Sequence, residues 1–185
     1  MPDRRYTPGH LCFLAVGLLV SLLIRRANGD TSYSYVDLVG RLTSLERLAE
    51  LPAAGETSAE WSSRDRASKY DSGTGQYMNW GANNDGDGVI RVEPDGGAVL
   101  AEMRGPGCIW RIWAGTPVDG HVKIFLDGSK TPAVDLAFKD YFNRTQPPFI
   151  CPSLAYEVCK GLNCYTPIPY NISCKVVAYG NRKTY

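Results

Sequence analysis

The sequence predicts an all-β domain: an antiparallel β-sandwich preceded by one amphipathic helix. Three observations predict it. From position 89 onward, short apolar runs recur at a spacing of about 8–12 residues. Turn chemistry separates several of them, in Pro94-Asp95-Gly96-Gly97, Gly105-Pro106-Gly107, Asp119-Gly120 and Asp127-Gly128. No helical-period segment lies between the runs, which excludes the crossover helices of a parallel sheet.

The chain begins with the three parts of an export signal at 1–29. Arg4 and Arg5 form a positive end, 11–24 is a 14-residue apolar run, and Ala27-Asn28-Gly29 offers small residues to a signal peptidase. A spanning helix needs about 20 apolar residues, so cleavage is expected. Arg25 and Arg26 directly after the run favour the alternative, a retained anchor. Cys12 lies inside the run and is incidental. The expected address is exported, periplasmic or extracellular, with no membrane association after cleavage.

Removing 29 of the 185 residues leaves 156, enough for one domain with a core. That part holds 16 basic and 18 acidic residues, a net charge near −2. It lacks the concentrated positive field that nucleic acid or an anionic membrane would require.

Residues 30–52 are expected to contain the helix, over 34–51. Val36, Val39, Leu42, Leu45 and Leu48 recur at three-residue steps, and Leu38 and Leu51 widen the stripe. Ser34 and Asp37 resemble a capping box, and Pro52 ends the run. Residues 53–88 are rich in Ser, Asn, Gly and Asp, and long for a structureless connection. Trp61, Tyr70, Tyr77 and Trp80 argue against disorder, so this stretch reads as an ordered binding loop.

The sandwich is expected over 89–185, with strands at 89–93, 98–103, 108–114, 122–127, 133–138 and 174–179. Val122, Ile124 and Leu126 alternate with Lys123 and Phe125, giving one apolar face. In 108–114, only Arg111 interrupts an apolar run, so a central strand buried on both faces is expected. Arg111 would then need a buried partner. Trp110 and Trp113 point to opposite faces unless a bulge intervenes. Residues 151–170, with Pro152, Pro167 and Pro169, read as a structured loop. The chain stops at Tyr185 soon after a strand, so a longer protein with further strands is expected.

Five cysteines follow the leader. Cys151, Cys159, Cys164 and Cys174 cluster, and in an oxidising compartment they are candidates for disulfides, with three pairings open. Zinc is the weaker reading, because there is no CxxC spacing and no nearby His. Cys108 is expected to be a small buried hydrophobe.

The densest polar motif is Asn83-Asn84-Asp85-Gly86-Asp87-Gly88. It admits a calcium turn, a sugar site whose carboxylates and amides bind adjacent hydroxyls, or a plain turn cluster. An EF-hand loop is excluded, because its twelfth position would be Pro94. There is no nucleophile elbow, P-loop or dinucleotide fingerprint. No cofactor, metal ligand or catalytic residue is assigned. Asn143-Arg144-Thr145 and Asn171-Ile172-Ser173 match the glycosylation sequon, which matters only in a eukaryotic host.

Ordered blocks then carry a resemblance. They are Ser62-Ser63-Arg64-Asp65-Arg66, Asn83-Asn84-Asp85, Ile90-Arg91-Val92-Glu93-Pro94, and the run from Val99 through Gly105-Pro106-Gly107-Cys108-Ile109-Trp110-Arg111-Ile112-Trp113. Val122-Lys123-Ile124-Phe125-Leu126-Asp127-Gly128 and Tyr165-Thr166-Pro167-Ile168-Pro169-Tyr170 follow. Together they resemble the N-terminal portion of glycoside hydrolase family 172, over nearly all of 36–180. The resemblance implies a jelly-roll sandwich, the first of two, assembled as homotrimers, hexamers or larger rings. It implies a carbohydrate substrate, with retaining hydrolysis or transfer of fructofuranose- or arabinofuranose-type sugars by a glutamate pair. The family's pair lies downstream of this region, and neither Glu93 nor Glu102 is matched to it. The family motif Ser-Ser-Tyr-Asp-x-x-Gly-Gly-Asn-x-Asp lies near the sugar, and Asp65, Asn83 and Asp85 match its polar positions. Here Arg64 replaces the aromatic, and an insertion of roughly ten residues separates Asp65 from Asn83. Tyr70-Asp71 restores the Tyr-Asp pair, so Asp71 is a candidate in place of Asp65. The alternative function is a non-catalytic carbohydrate-binding or scaffold module.

Overall fold

The computed structural model describes residues 32–82, 86, 88–115 and 119–180, the side chain of Leu48 excepted. The leader expected at 1–29 lies outside them. Two compact units divide between Leu38 and Val39, inside helix α1 (Tyr35–Arg41).

In the first unit the capping box forms. The Asp37 amide donates to Ser34 Oγ at 3.2 Å, and the Ser34 amide donates to Asp37 Oδ2 at 2.8 Å. Leu38 is buried. The helix is seven residues long and does not continue to Leu51. Its end tightens at once: the amides of Leu42 and Thr43 donate to the carbonyls of Val39 and Gly40. The Thr43 hydroxyl also donates to Gly40 O at 3.3 Å. Gly40 weakens the last turn, and Thr43-Ser44 offers the backbone competing hydroxyls. A separate 3-10 turn, η1 (Glu46–Ala49), follows. Val36, Leu45 and Leu51 are 78%, 78% and 92% exposed, so the three-residue stripe is not one buried face.

The second unit is built from antiparallel strands in several sheets. The largest is formed by β3 (Arg91–Val92), β4 (Ala98–Arg104), β7 (Gly120–Leu126), β8 (Val134–Ala137) and β12 (Ser173–Gly180), in the order β3-β4-β12-β7-β8. Its inner face carries Val122, Ile124 and Leu126, with Ala178, Val176 and Cys174 opposite them in register on β12. Its outer face carries Lys123, Phe125 and Lys175, as the alternation predicts.

The second layer is a broken ribbon. β5 (Gly107–Ile109) pairs with β11 (Ile168–Tyr170), and β6 (Ile112–Ala114) pairs with β10 (Gly161–Cys164), which also pairs with β9 (Ala155–Val158). The strand expected over 108–114 is therefore split at Trp110-Arg111. The pairing register moves by one residue across the split, as a bulge does. The core lies between the layers. Ala114, Cys164 and Ile168 from the ribbon meet Val122, Ile124 and Cys174 from the large sheet. Phe138 and Tyr141 of the 3-10 turn η2 (Phe138–Tyr141), with Phe142 and Phe149, fill the space between them. The Tyr141 hydroxyl donates to Val122 O at 2.8 Å, and burial pushes its pKa up.

Cys151, Cys159, Cys164 and Cys174, the candidates for disulfides, stand as free thiols in the structure. Cys164 and Cys174 are buried in the core and behave as small hydrophobes. Cys151 and Cys159 are exposed; Cys159 directly follows β9, and Cys151 precedes it across a turn in which its carbonyl accepts the Ala155 amide at 2.9 Å.

Candidate functional site

Residues 53–88, expected as an ordered binding loop, contain two short paired strands. Two other short segments are zipped together. The Ser63 carbonyl accepts the amides of Gly86 at 2.8 Å and Gly88 at 3.0 Å. Arg66 adds two ties, from Nε to Val89 O at 3.1 Å and from Nη2 to Ser62 O at 3.2 Å. Residues 62–66 therefore lie against Gly86, Gly88 and Val89, although some 20 residues of chain separate them.

That intervening chain folds out as a hairpin of β1 (Lys69–Asp71) and β2 (Gln76–Met78). Asn79 closes its base, with Nδ2 donating to Ala67 O at 3.1 Å. The hairpin absorbs the insertion and returns the chain to its starting point. Sequence reading missed it, although Tyr70 and Tyr77 flank Gly73 and Gly75, a hairpin spacing.

The four candidate residues fare differently. Asp65 is half-buried beside the zipped segments, and its Oδ1 accepts the Ala67 amide at 2.9 Å. Asn83 and Asp85 lie outside the described residues, as do Asn84 and Asp87, while Gly86 and Gly88 are placed. Asp71 is occupied with its own turn. Its Oδ1 accepts the Gly73 amide and its Oδ2 accepts the Thr74 hydroxyl, both at 2.9 Å. The Gly73 bond leads in holding its carboxyl below the usual carboxylate range. The geometry brings the Asp65 segment to Gly86 and Gly88, and gives Asp71 the shaping of the hairpin tip.

The aromatic residues of the region stand in solvent. Tyr70 and Tyr77 are directly opposed across the hairpin, with ring centroids 5.1 Å apart. Trp80 meets Tyr77 edge-to-face at 5.0 Å.

A second polar surface lies on the β6–β10–β9 sheet. Trp113, Asn163 and Tyr156 are cross-strand neighbours and share one face. Asn163 is 3% exposed. Its Oδ1 accepts Arg111 Nη2 at 2.8 Å, and its Nδ2 donates to Gly161 O at 3.0 Å. The Arg111 guanidinium lies 5.6 Å from the centre of the Tyr165 ring, which stacks on Tyr156 at 6.0 Å. The expected doubly buried strand is thus corrected. Trp113 and Arg111 are exposed, and the partner of Arg111 is a buried amide.

The glutamates of the strand blocks are engaged elsewhere. Arg91 bonds both oxygens of Glu102 at 2.7 and 2.9 Å, and Glu93 Oε1 at 2.9 Å. The Arg91 guanidinium keeps the Glu102 carboxyl below its ordinary range. Among the described residues, no three His, Cys, Asp or Glu side chains gather as a metal site. Among the same residues, no helix is long and apolar enough to cross a membrane.

Residues 54–185 match the family model described as the GH172 first beta-sandwich domain. The searches of curated proteins and of solved structures returned no match.

Proposed function

The chain belongs to the GH172 glycoside hydrolase family, in its first β-sandwich domain, and from that premise we propose that it supplies the sugar-contacting wall of an exported furanosidase. Its substrates are fructofuranose- or arabinofuranose-type glycosides, cleaved with retention. The domain is a jelly roll that works in trimers or larger rings, in the periplasm or outside the cell.

The observation that carries this reading is the pair of bonds from Gly86 and Gly88 to the Ser63 carbonyl. It draws the Asp65 segment to the loop in whose sequence Asn83 and Asp85 stand, despite the inserted hairpin. A carboxylate, an amide and a second carboxylate on one short loop system suit adjacent sugar hydroxyls. Each anionic oxygen accepts a hydroxyl proton, and charge assistance strengthens the bond.

This wall binds, and catalysis comes from elsewhere. Retaining hydrolysis needs two carboxyl groups about 5 Å apart, one of them with a raised pKa so that it can act as an acid. Glu102 is shifted the opposite way by Arg91. Glu93 shares that guanidinium. Both are structural ion-pair partners, so the catalytic glutamates lie outside these strand blocks. The same observation favours the second reading, a carbohydrate-binding module without turnover.

Incubating the intact protein with nitrophenyl fructofuranosides and arabinofuranosides, with the product anomer followed by NMR, separates the two. Release of nitrophenol with a retained first-formed anomer supports the enzyme, and an Asp65→Ala variant should raise KM. Sugar binding without release supports the module. Neither binding nor release would sink both.

A further inference from the structure

We propose that the β1–β2 hairpin is an aromatic subsite that holds a further sugar ring of an oligosaccharide, beyond the unit contacted by the Asp65 loop. This rests on the carbohydrate reading above. Tyr70, Tyr77 and Trp80 are 58%, 54% and 75% exposed. Their rings form a continuous series, Tyr70 to Tyr77 at 5.1 Å and Tyr77 to Trp80 at 5.0 Å with an interplanar angle of 61°. Despite that contact, most of the Trp80 ring stays open to solvent. Aromatic rings carry a negative face, and the C–H groups gathered on one face of a furanose ring present a weakly positive apolar one, so the two stack.

The platform is held ready. A two-stranded hairpin alone is marginal in water, yet this one is fixed at both ends. Asp71 ties the tip through Gly73 and Thr74. The Gly75 amide donates to Asp71 O at 2.8 Å. At the base, Asn79 bonds the Ala67 carbonyl, and the Ala67 amide bonds Asp65. Trp80 follows Asn79 directly, so the platform begins one residue from the tie that leads to Asp65. Fixing the rings beforehand removes the ordering cost from binding.

The size favours a sugar over a protein. Three rings about 60% exposed offer on the order of 350 Å², against about 800 Å² per partner in a stable protein interface. Lys69, Asp71 and Gln76 alternate with Tyr70 and Tyr77 along the two strands and so take the opposite face of the hairpin, leaving the ring face aromatic.

The test is calorimetric titration of the intact protein with monofuranosides and with oligomers of the same arabinofuranose or fructofuranose unit, comparing the parent with Trp80→Ala, Tyr77→Ala and Trp80→Tyr. The alanine variants should bind the oligomers about five- to tenfold more weakly, with a much smaller shift for the monomers. Trp80→Tyr should recover most of the loss. Quenching of tryptophan fluorescence by the oligomer should disappear in Trp80→Ala. Equal losses for monomer and oligomer, or no loss for either, overturn the subsite while leaving the parent's sugar binding intact. A change in sedimentation without a change in affinity overturns it in favour of contact between copies. A parent that binds no sugar of either length overturns this proposal together with the carbohydrate reading. Thermal melting of each variant confirms that the sandwich, which the hairpin does not help to fill, remains folded.

Discussion

Gly88 lies against the Arg64 carbonyl with no room for a side chain between them; a Cβ at Gly88 would overlap that oxygen. The obstacle is backbone, so it cannot rotate away. It can retreat only by breaking the bonds from Gly86 and Gly88 to Ser63. Gly88→Ala should therefore open the zipped segments and cost about 1–3 kcal/mol, the range for overpacking. Sugar affinity should fall with it, while an alanine substitution at Gly81, which has open space around it, should leave affinity alone. Thermal unfolding and sugar titration of both variants check this. Parental affinity in the Gly88→Ala protein would show that the two segments do not need each other to bind.

Asp127 has a different kind of importance. Its Oδ1 accepts the amides of Asn171, Ile172 and Ser173 at 2.8, 2.7 and 3.3 Å, fastening the turn after β7 to the turn before β12. The Ile172 bond leads in lowering its pKa, with Ser173 and Asn171 adding to it. A folded-state pKa below the unfolded value of about 3.9 has a definite sign. The stabilisation is complete above that value and is lost as pH falls through the folded pKa. Asp127→Asn should then be less stable than the parent at neutral pH, and the gap should close as pH drops below about 4. Asn suits the test, because it tolerates the left-handed backbone here, φ 55°. Urea unfolding across pH reads the gap; one that widens in acid would contradict the role.

These devices differ in how far the sequence discloses them. The Ser34–Asp37 box is local and chemical, so two residue types at fixed spacing reveal it. The turns at Gly96, Gly105 and Gly128 are legible for the same reason, and all three have positive φ. The hairpin of β9 and β10 was not. Its two turn residues, Cys159 and Lys160, adopt φ 50° and 63° where Asn-Gly would ordinarily announce such a turn. β11 escaped notice because Pro169 sits inside it. The tie at Ser63 runs through a carbonyl, which every residue carries, so no side chain could mark it. Asp65 was found through its side chain, whereas the backbone that positions it was not.

Asn163 tests whether the ribbon depends on a buried amide or on the guanidinium outside it. The Asn163→Leu variant removes the acceptor for Arg111 and the donor to Gly161 O. Because Asn163 is 3% exposed, water replaces those bonds poorly, and a cost of about 1–3 kcal/mol follows. Arg111 is exposed, and Arg111→Lys keeps a cationic donor for the buried Asn163 Oδ1, so that variant should cost under about 1 kcal/mol. Calorimetric unfolding ranks the two. The reverse order would mean that the guanidinium on Tyr165 holds the strands, with the amide secondary.

The cysteines divide by burial, and the division sets their chemistry. The thiolate is the reactive form. Burial pushes Cys174 up to about 12 and Cys108 up to about 11, and raises Cys164 as well. Cys151 and Cys159 stand in solvent. A maleimide added to the native protein at neutral pH should modify Cys151 and Cys159 rapidly and the other three slowly. In denaturant, without reductant, all of these thiols should react. Intact-mass spectrometry counts the additions at each stage. If Cys164 and Cys174 stay unlabelled in denaturant until a reductant is added, the core holds a disulfide there and the two are not independent hydrophobes. If Cys164 or Cys174 reacts as fast as Cys159 in the native state, the sandwich opens far more readily than its packed core implies.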